Sequence, residues 1–214
     1  MHELYLQEFQ ESIENIRKKS FDSQGLIKTN WGTIRQLWSS HYSQIPDDLI
    51  NQRTRLLIAV RYTECLQSIL WIEWLVMHGG YHQAIRELRS ILESIVQAYY
   101  VDKNYRDIDV KGKLAVLKEM NLSRSDFGKK LIEKANPPSS HKTRKLYDEL
   151  SKFVHTSVEH LDEILSEPDS DQRIVELTTP QYDRKLLQKC YKLTEQVVKH
   201  VIAMNQDLIE KLIP

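Results

Sequence analysis

The sequence predicts an all-α protein, an elongated antiparallel helical bundle formed by one domain of 214 residues. Apolar residues recur with the 3.6-residue period of an α-helix along most of the chain, and almost no stretch alternates with the two-residue period of a strand. Only 6 glycines and 6 prolines interrupt this pattern, which favours long helices. The composition, 41% hydrophobic and 28% charged, is that of a globular protein, and the length suffices for a full hydrophobic core.

Residues 1–45 are predicted to form N-terminal helices, and residues 46–214 are predicted to form the bundle itself. The first helix is expected at residues 3–20, where basic residues at the end suit the negative pole of the helix dipole. A shorter helix is expected from Asn30 to Tyr42. Its apolar side chains are Trp31, Ile34, Leu37 and Trp38.

A long helix is predicted from Pro46 to Met77, because a proline followed by two acidic residues is typical of a first helical turn. At 1.5 Å per residue this helix would be about 45 Å long. Its second half, residues 66–77, is apolar on nearly every side, which indicates a central helix or an oligomer contact. After the turn at residues 78–80, the next helix should run to Lys103 and pack antiparallel to its predecessor.

Short helices are expected at residues 109–120 and 123–135, with Ser123 as the N-cap of the second. Asn136 and the two prolines after it end that helix, and another begins near Ser139 or Ser140. Residues 173–177 are the one credible extended segment. The last helix is predicted from Thr179-Pro180 to Leu212, where a long apolar stripe should close the bundle or contact a partner helix.

The charge balance argues against a global attraction to nucleic acid or to anionic membranes, since 30 basic residues match 30 acidic ones. The charges are nevertheless unevenly placed. Residues 111–145 contain 10 basic and 3 acidic residues, whereas residues 146–183 contain 2 basic and 10 acidic ones. The chain is therefore electrically polarised around residue 146.

The two cysteines, Cys65 and Cys190, provide no disulfide framework and are expected to be buried, reduced thiols. The N-terminus lacks the basic and apolar regions of a secretory signal. The longest apolar stretch, residues 56–77, contains Arg61, Glu64 and Glu73, which argues against a membrane span. We expect a cytoplasmic protein without membrane contact.

Three polar residues of one predicted helix, Tyr147, Ser151 and His155, are spaced at i, i+4 and i+8. On an α-helix this spacing places a phenol, a hydroxyl and an imidazole on one stripe. His155 is the candidate catalytic residue, because imidazole transfers protons near neutral pH. The alternative is a histidine that only complements the C-terminal end of a helix dipole.

A second candidate group, Arg86, Arg89 and Glu93, lies in the helix that begins at Tyr81. Arg89 and Glu93 are at i, i+4 within or beside the apolar stripe, where charged groups are costly unless they pair. They could line a polar crevice opposite Ser151 and His155, with an arginine holding a phosphate. They could equally be an ion pair that fixes helix register, with Arg86 solvated.

These two motifs, Arg-x-Leu-Arg-x-x-Leu-Glu at residues 86–93 and Tyr-x-x-Leu-Ser-x-x-x-His-x-Ser at residues 147–157, resemble a group of uncharacterised prokaryotic proteins similar to the HEPN superfamily. The resemblance covers residues 50–213. It implies a helical bundle, and many members of that superfamily are dimeric, metal-independent RNases of toxin and antiviral systems. For this chain it implies a homodimer and a role in prokaryotic stress or defence.

The chain departs from the superfamily at one position of its Arg-x(4–6)-His motif. The residues that would hold the arginine are Asp148, Glu149 and Leu150, so only His155 matches. We therefore expect an HEPN-like protein that binds RNA or a nucleotide at the crevice and that, if catalytic, is a degenerate RNase. The alternative is a non-enzymatic dimerisation or protein-interaction module that uses the apolar faces at residues 66–77 and 182–212. The sequence predicts no metal site and no cofactor.

Overall fold

The computed structural model describes residues 2–22, 24–43, 56–123, 128–153 and 182–212, and these form eight helices packed against one another. The described residues contain no strand, so the predicted all-α class is confirmed. The helices are α1 (His2–Asp22), α2 (Gln24–Tyr42), α3 (Leu57–Met77), α4 (Tyr81–Asn104), α5 (Val110–Ser123), α6 (Lys129–Ala135), α7 (Ser140–Ser151) and α8 (Arg184–Leu212).

The predicted hairpin of α3 and α4 is confirmed at the centre of the bundle. Gly79 adopts a positive φ of 79°, and the Gly80 N–H donates to the Leu75 carbonyl at 2.8 Å. The Gly79 N–H donates to the Val76 carbonyl at 3.3 Å, which completes a Schellman motif. Because this turn is so short, α4 returns directly along α3, and the two helices pack antiparallel over their lengths.

The longest helix, α8, runs parallel to α4. Near the start of both helices, the Cys190 thiol donates to the Tyr81 carbonyl at 3.7 Å. Near their ends, the Tyr99 hydroxyl donates to Asp207 at 2.7 Å. The apolar stripe of α8 is buried inside the chain, which confirms that it closes the bundle. Its buried members include Leu193, Val197, Val198, Val201, Met204 and Leu208.

The N-terminal helix α2 packs onto both α3 and α8. The Trp31 ring meets Tyr191 edge to face with centroids 5.1 Å apart, and Trp38 stacks on Tyr62 at 4.1 Å. Both tryptophans are almost fully buried. The core therefore continues across residue 45, where the sequence suggested a division between N-terminal helices and bundle.

The start of α3 differs from the prediction. Residues 44–55, which include the predicted first turn at Pro46, lie outside the described part of the chain. Leu56 is extended, with φ −117° and ψ 116°, and α3 begins at Leu57. Its first N–H groups donate to the Asp102 carboxylate of α4, so the N-cap comes from another helix.

Three further helix boundaries are corrected. Helix α2 begins at Gln24, six positions before the predicted Asn30. Ser123 is the last residue of α5, not the N-cap of α6, and the residue before α6 is Gly128 with φ 63°. Helix α8 begins at Arg184, and the two residues before it, Tyr182 and Asp183, are not helical. Asp183 is the N-cap, because its carboxylate accepts the N–H groups of Lys185 and Leu186 at 2.7 and 2.9 Å. The predicted start at Thr179-Pro180 and the extended segment at 173–177 lie outside the described residues.

Both cysteines are free and buried, as predicted. Burial raises the pKa of the Cys65 thiol and that of the Cys190 thiol to about 12 each. Neither thiol ionises near neutral pH, so neither is a reactive nucleophile.

Candidate functional site

The two sequence motifs meet where α7 packs antiparallel against α4. The Arg89 Nη2 donates to the Tyr147 hydroxyl at 2.7 Å, across 58 positions of sequence. The Tyr147 hydroxyl in turn donates to the Glu93 Oε1 at 2.9 Å. Arg89 and Glu93 also form the predicted i, i+4 ion pair, with Nη2 and Oε1 3.2 Å apart. Arg89, Glu93 and Tyr147 are called the Arg89 cluster below.

The Tyr147 hydroxyl is a neutral group at physiological pH. Burial raises its pKa, the adjacent Glu93 carboxylate raises it further, and Arg89 offsets part of this effect. The phenol therefore remains protonated, as a donor to Glu93 and an acceptor from Arg89. A protonated phenol beside a permanently charged guanidinium supplies no general base.

Arg89 is held tightly, but its hydrogen bonding is incomplete. Its side chain is 18% exposed, and its guanidinium carbon lies 5.0 Å from the centroid of the Tyr147 ring. Its Nε is buried and has no hydrogen-bond acceptor among the described residues. A buried donor without an acceptor is costly, and networks that serve stability alone usually satisfy every member.

The wall behind Tyr147 is formed by Gly128, which precedes α6. A Cβ at this position would lie 2.6 Å from the Tyr147 hydroxyl, and its φ of 63° is strained for other residues. Next to it lies a shallow cleft of about 230 Å³, which includes Leu92, Val96 and Leu131 among its lining residues. Part of this space is open solvent, and the enclosed part is far smaller than the roughly 300–1,000 Å³ of typical ligand pockets. The cleft does not enclose a nucleotide, so a ligand would lie across the surface of the cluster.

Arg86 lies one turn from Arg89 and is solvent-exposed. Its Nε makes a long contact of 3.5 Å with the carbonyl oxygen of Phe153, beyond the end of α7. The Lys189 Nζ lies 4.4 Å from the centroid of the Phe153 ring and 3.9 Å from the Glu149 carboxylate. Arg86 thus belongs to the same side of the bundle as the Arg89 cluster, but it is not bonded to it.

The predicted stripe of three polar residues is only partly present on α7. The Ser151 hydroxyl donates to the Tyr147 carbonyl at 2.7 Å, within its own helix. Helix α7 ends at Ser151, four positions before His155. Beyond it, the Phe153 N–H donates to the Leu150 carbonyl, three residues back, instead of the carbonyl four residues back that an α-helix requires. His155 lies outside the described residues, and its catalytic role stays a prediction.

A buried ion pair that the sequence reasoning missed connects three helices. The Lys113 Nζ of α5 lies 2.8 Å from the Asp102 Oδ1 of α4, and both side chains are almost completely buried. The same carboxylate accepts the N–H groups of Leu57 and Ile58 at 3.2 and 2.8 Å. The available signal was the position of Asp102, four residues after Ala98 and seven after Ile95, on the apolar stripe of α4.

An ion pair joins the basic residues 111–145 to the acidic residues 146–183. The Lys129 Nζ lies 2.7 Å from the Asp148 Oδ1, so the two halves of the polarised region pair at the surface where α6 meets α7. This pairing removes part of the local field that the sequence suggested.

Comparison with known proteins adds no relative: no protein-family model, no curated protein and no solved structure matches the chain. In the part of the chain that the structure describes, no group of three histidine, cysteine, aspartate or glutamate side chains is placed to hold a metal ion. Within the same residues, no helix is both long and apolar enough to cross a membrane.

Proposed function

We propose that this is an HEPN-like, cytoplasmic helical-bundle protein that binds RNA or a nucleotide at the surface of the Arg89 cluster. Arg86 and Ser151 border the bound group. The proposal is supported by one observation above others, the buried Nε–H of Arg89 that has no acceptor among the described residues. This donor is hydrogen-bonding capacity that the Arg89 cluster itself does not use. A prokaryotic stress or defence role follows from the HEPN resemblance.

Binding fits the described residues better than catalysis does. The Tyr147 phenol stays protonated, and the Ser151 hydroxyl is bonded within its own helix. The arginines supply the positive, multidentate donors that recognise phosphate. Proton transfer, and with it a degenerate metal-independent RNase activity, would depend on His155.

Binding is tested by fluorescence anisotropy of a labelled single-stranded RNA, with free nucleotide as competitor. Arg86→Ala removes an exposed arginine that is not bonded to the cluster, so the fold should persist. We expect it to weaken binding about tenfold, the loss of one charge-assisted contact. The matched control is Arg106→Ala, because Arg106 is also exposed but lies beyond the far end of α4. Equal affinities of the two variants would reject the site.

Catalysis is tested separately by RNA cleavage with the wild type beside His155→Ala. Selective loss of cleavage, with retained RNA binding, would assign proton transfer to His155. Identical behaviour of the two proteins would remove His155 from the proposal and leave a binding protein.

The rival interpretation is a purely structural cluster in a non-enzymatic interaction module. It is favoured by the mutual bonding of Arg89, Glu93 and Tyr147, which uses the same groups that a ligand would need. On this interpretation RNA does not bind, and the Arg86→Ala variant equals the wild type in every measurement.

A further inference from the structure

The outer side of α3 carries a largely apolar face in water. Leu70, Trp71 and Trp74 are each about half exposed, and Val60 and Leu66 are exposed to 37% and 39%. These five residues are called the α3 face. The inner side of the same helix, with Ile69, Ile72 and Val76, is buried against the bundle. Both sides of α3 are thus apolar, although its fold requires only one to be.

The aromatic residues of the α3 face are already ordered. The Trp71 and Trp74 rings are stacked with centroids 4.8 Å apart, and Trp74 stacks on His78 at 4.3 Å. The His78 Nδ1 lies 2.7 Å from the Trp74 carbonyl oxygen, which fixes the end of this ladder. A ligand or partner that covers the ladder would therefore lose little side-chain entropy on binding. Tryptophan is also among the residues that contribute most to protein interfaces.

The area of the α3 face matches the apolar core of a protein interface. Side chains of these sizes, about half exposed, leave on the order of 400 Å² of apolar surface in water. A standard interface buries about 800 Å² on each partner, a little over half of it apolar. The α3 face with a polar rim therefore supplies one partner's share.

The charges around the α3 face indicate which partner it fits. Arg61 pairs with Glu64 at 2.6 Å, and Arg35 pairs with Glu73, so the rim carries pairs of opposite sign. Nucleic acid and anionic membranes need unpaired positive charge, whereas the charged residues described above on this rim are paired. A second copy of the same neutral, apolar surface meets no like-charge repulsion, and two-fold dimers are the commonest symmetric assembly.

We propose that the α3 face is the contact of a two-fold homodimer, in which Leu70, Trp71 and Trp74 of one copy pack against the same face of another. The proposal is independent of any ligand at the Arg89 cluster. It assigns to α3 the oligomer contact that its all-round apolar sequence indicated.

The test is sedimentation equilibrium of the full chain over about 1–100 μM. We expect the wild type to be a dimer, and Leu70→Glu to raise its dissociation constant about thirtyfold or more, as a central interface position does. Trp74→Lys, with a charge of opposite sign, should have the same effect. Circular dichroism should show both variants folded, since both positions face water.

The matched control is Leu114→Glu, which places the same charge at a leucine that is 44% exposed on α5. This variant should dimerise like the wild type. A wild type that stays monomeric at the highest concentration would overturn the proposal. A dimer that Leu70→Glu leaves intact, or that Leu114→Glu weakens equally, would overturn it too.

Discussion

At the scale of single residues, one oxygen atom joins the two motifs of the candidate site. The Tyr147 hydroxyl accepts from Arg89 and donates to Glu93, so it is bonded to both charged partners at once. The i, i+4 spacing predicted the ion pair of Arg89 and Glu93 correctly. The contact with Tyr147 could be anticipated only as a shared crevice, because spacing within a helix does not fix how two helices are rotated against each other.

Replacement of Tyr147 by phenylalanine should lower the free energy of unfolding by about 1–2 kcal/mol, because two hydrogen bonds to charged groups are lost and the ring remains. Urea denaturation measures this change. The control is Tyr105→Phe at an exposed position, where we expect a change within about 0.5 kcal/mol. If the two variants were equally stable, the Tyr147 hydroxyl would not contribute to the free energy of unfolding.

His41 makes the stability depend on pH. It is buried, its Nε2 lies 3.1 Å from the Asn205 amide nitrogen, and burial lowers its pKa below the ordinary 6.5. At pH values between the lowered pKa and 6.5, His41 binds more protons in the unfolded chain than in the folded one. The free energy of unfolding therefore decreases as the pH falls through this range.

The measurement for His41 is urea unfolding at about pH 7.5 and about pH 5.5. His41→Gln cannot be protonated, so it should lose less stability between the two pH values than the wild type does. Part of the loss should remain, because burial also lowers the pKa of His200. An identical loss in both proteins would show that His41 does not contribute.

At the scale of elements, the helices follow from periodicity and turn chemistry, but several ends do not. The end of α3 could be predicted because Gly79 and Gly80 form a local Schellman motif. Its start could not, since the carboxylate that caps it belongs to Asp102, 45 positions away. The start of α8 was misplaced for a different reason: Asp183 competes with Thr179 as N-cap, and local sequence does not rank them.

Because Asp102 of α4 caps the start of α3, its replacement should lower the free energy of unfolding strongly. Asp102→Ala removes the partner of the buried Lys113 and two hydrogen bonds of α3, and we expect a loss of about 3–5 kcal/mol in the free energy of unfolding. Urea denaturation measures this loss. The control is Asp107→Ala, which removes an exposed aspartate in the turn after α4. A loss near that of the control would mean that the buried pair contributes no net stability.

At the scale of the whole molecule, the class and the central hairpin could be predicted because both depend on patterns that repeat over many residues. The continuity of the core across residue 45 could not be predicted, since Trp31 and Trp38 join α2 to α8 and α3 through contacts between distant positions. The accessibility of the α3 face was also beyond the sequence. An all-round apolar helix fits a central position as well as an oligomer contact, and only the packing shows which side remains exposed.

The packing of α2 predicts one cooperative unfolding transition. In a variant with Trp71 and Trp74 replaced by phenylalanine, the buried Trp31 and Trp38 report on α2 by fluorescence, whereas far-ultraviolet circular dichroism reports on all helices. The two signals should give the same urea midpoint. A fluorescence change that precedes the loss of helix would instead make residues 1–45 a separately unfolding unit.

The central claim, that the Arg89 cluster binds a ligand, is tested most directly by the arginine side-chain resonances in a ¹H–¹⁵N spectrum during titration with single-stranded RNA. Arg89→Lys assigns the Arg89 Nε–H signal. We predict that this signal and that of Arg86 shift and saturate together, while Arg106 does not shift. No shift at Arg89, or equal shifts at all three arginines, would contradict the account.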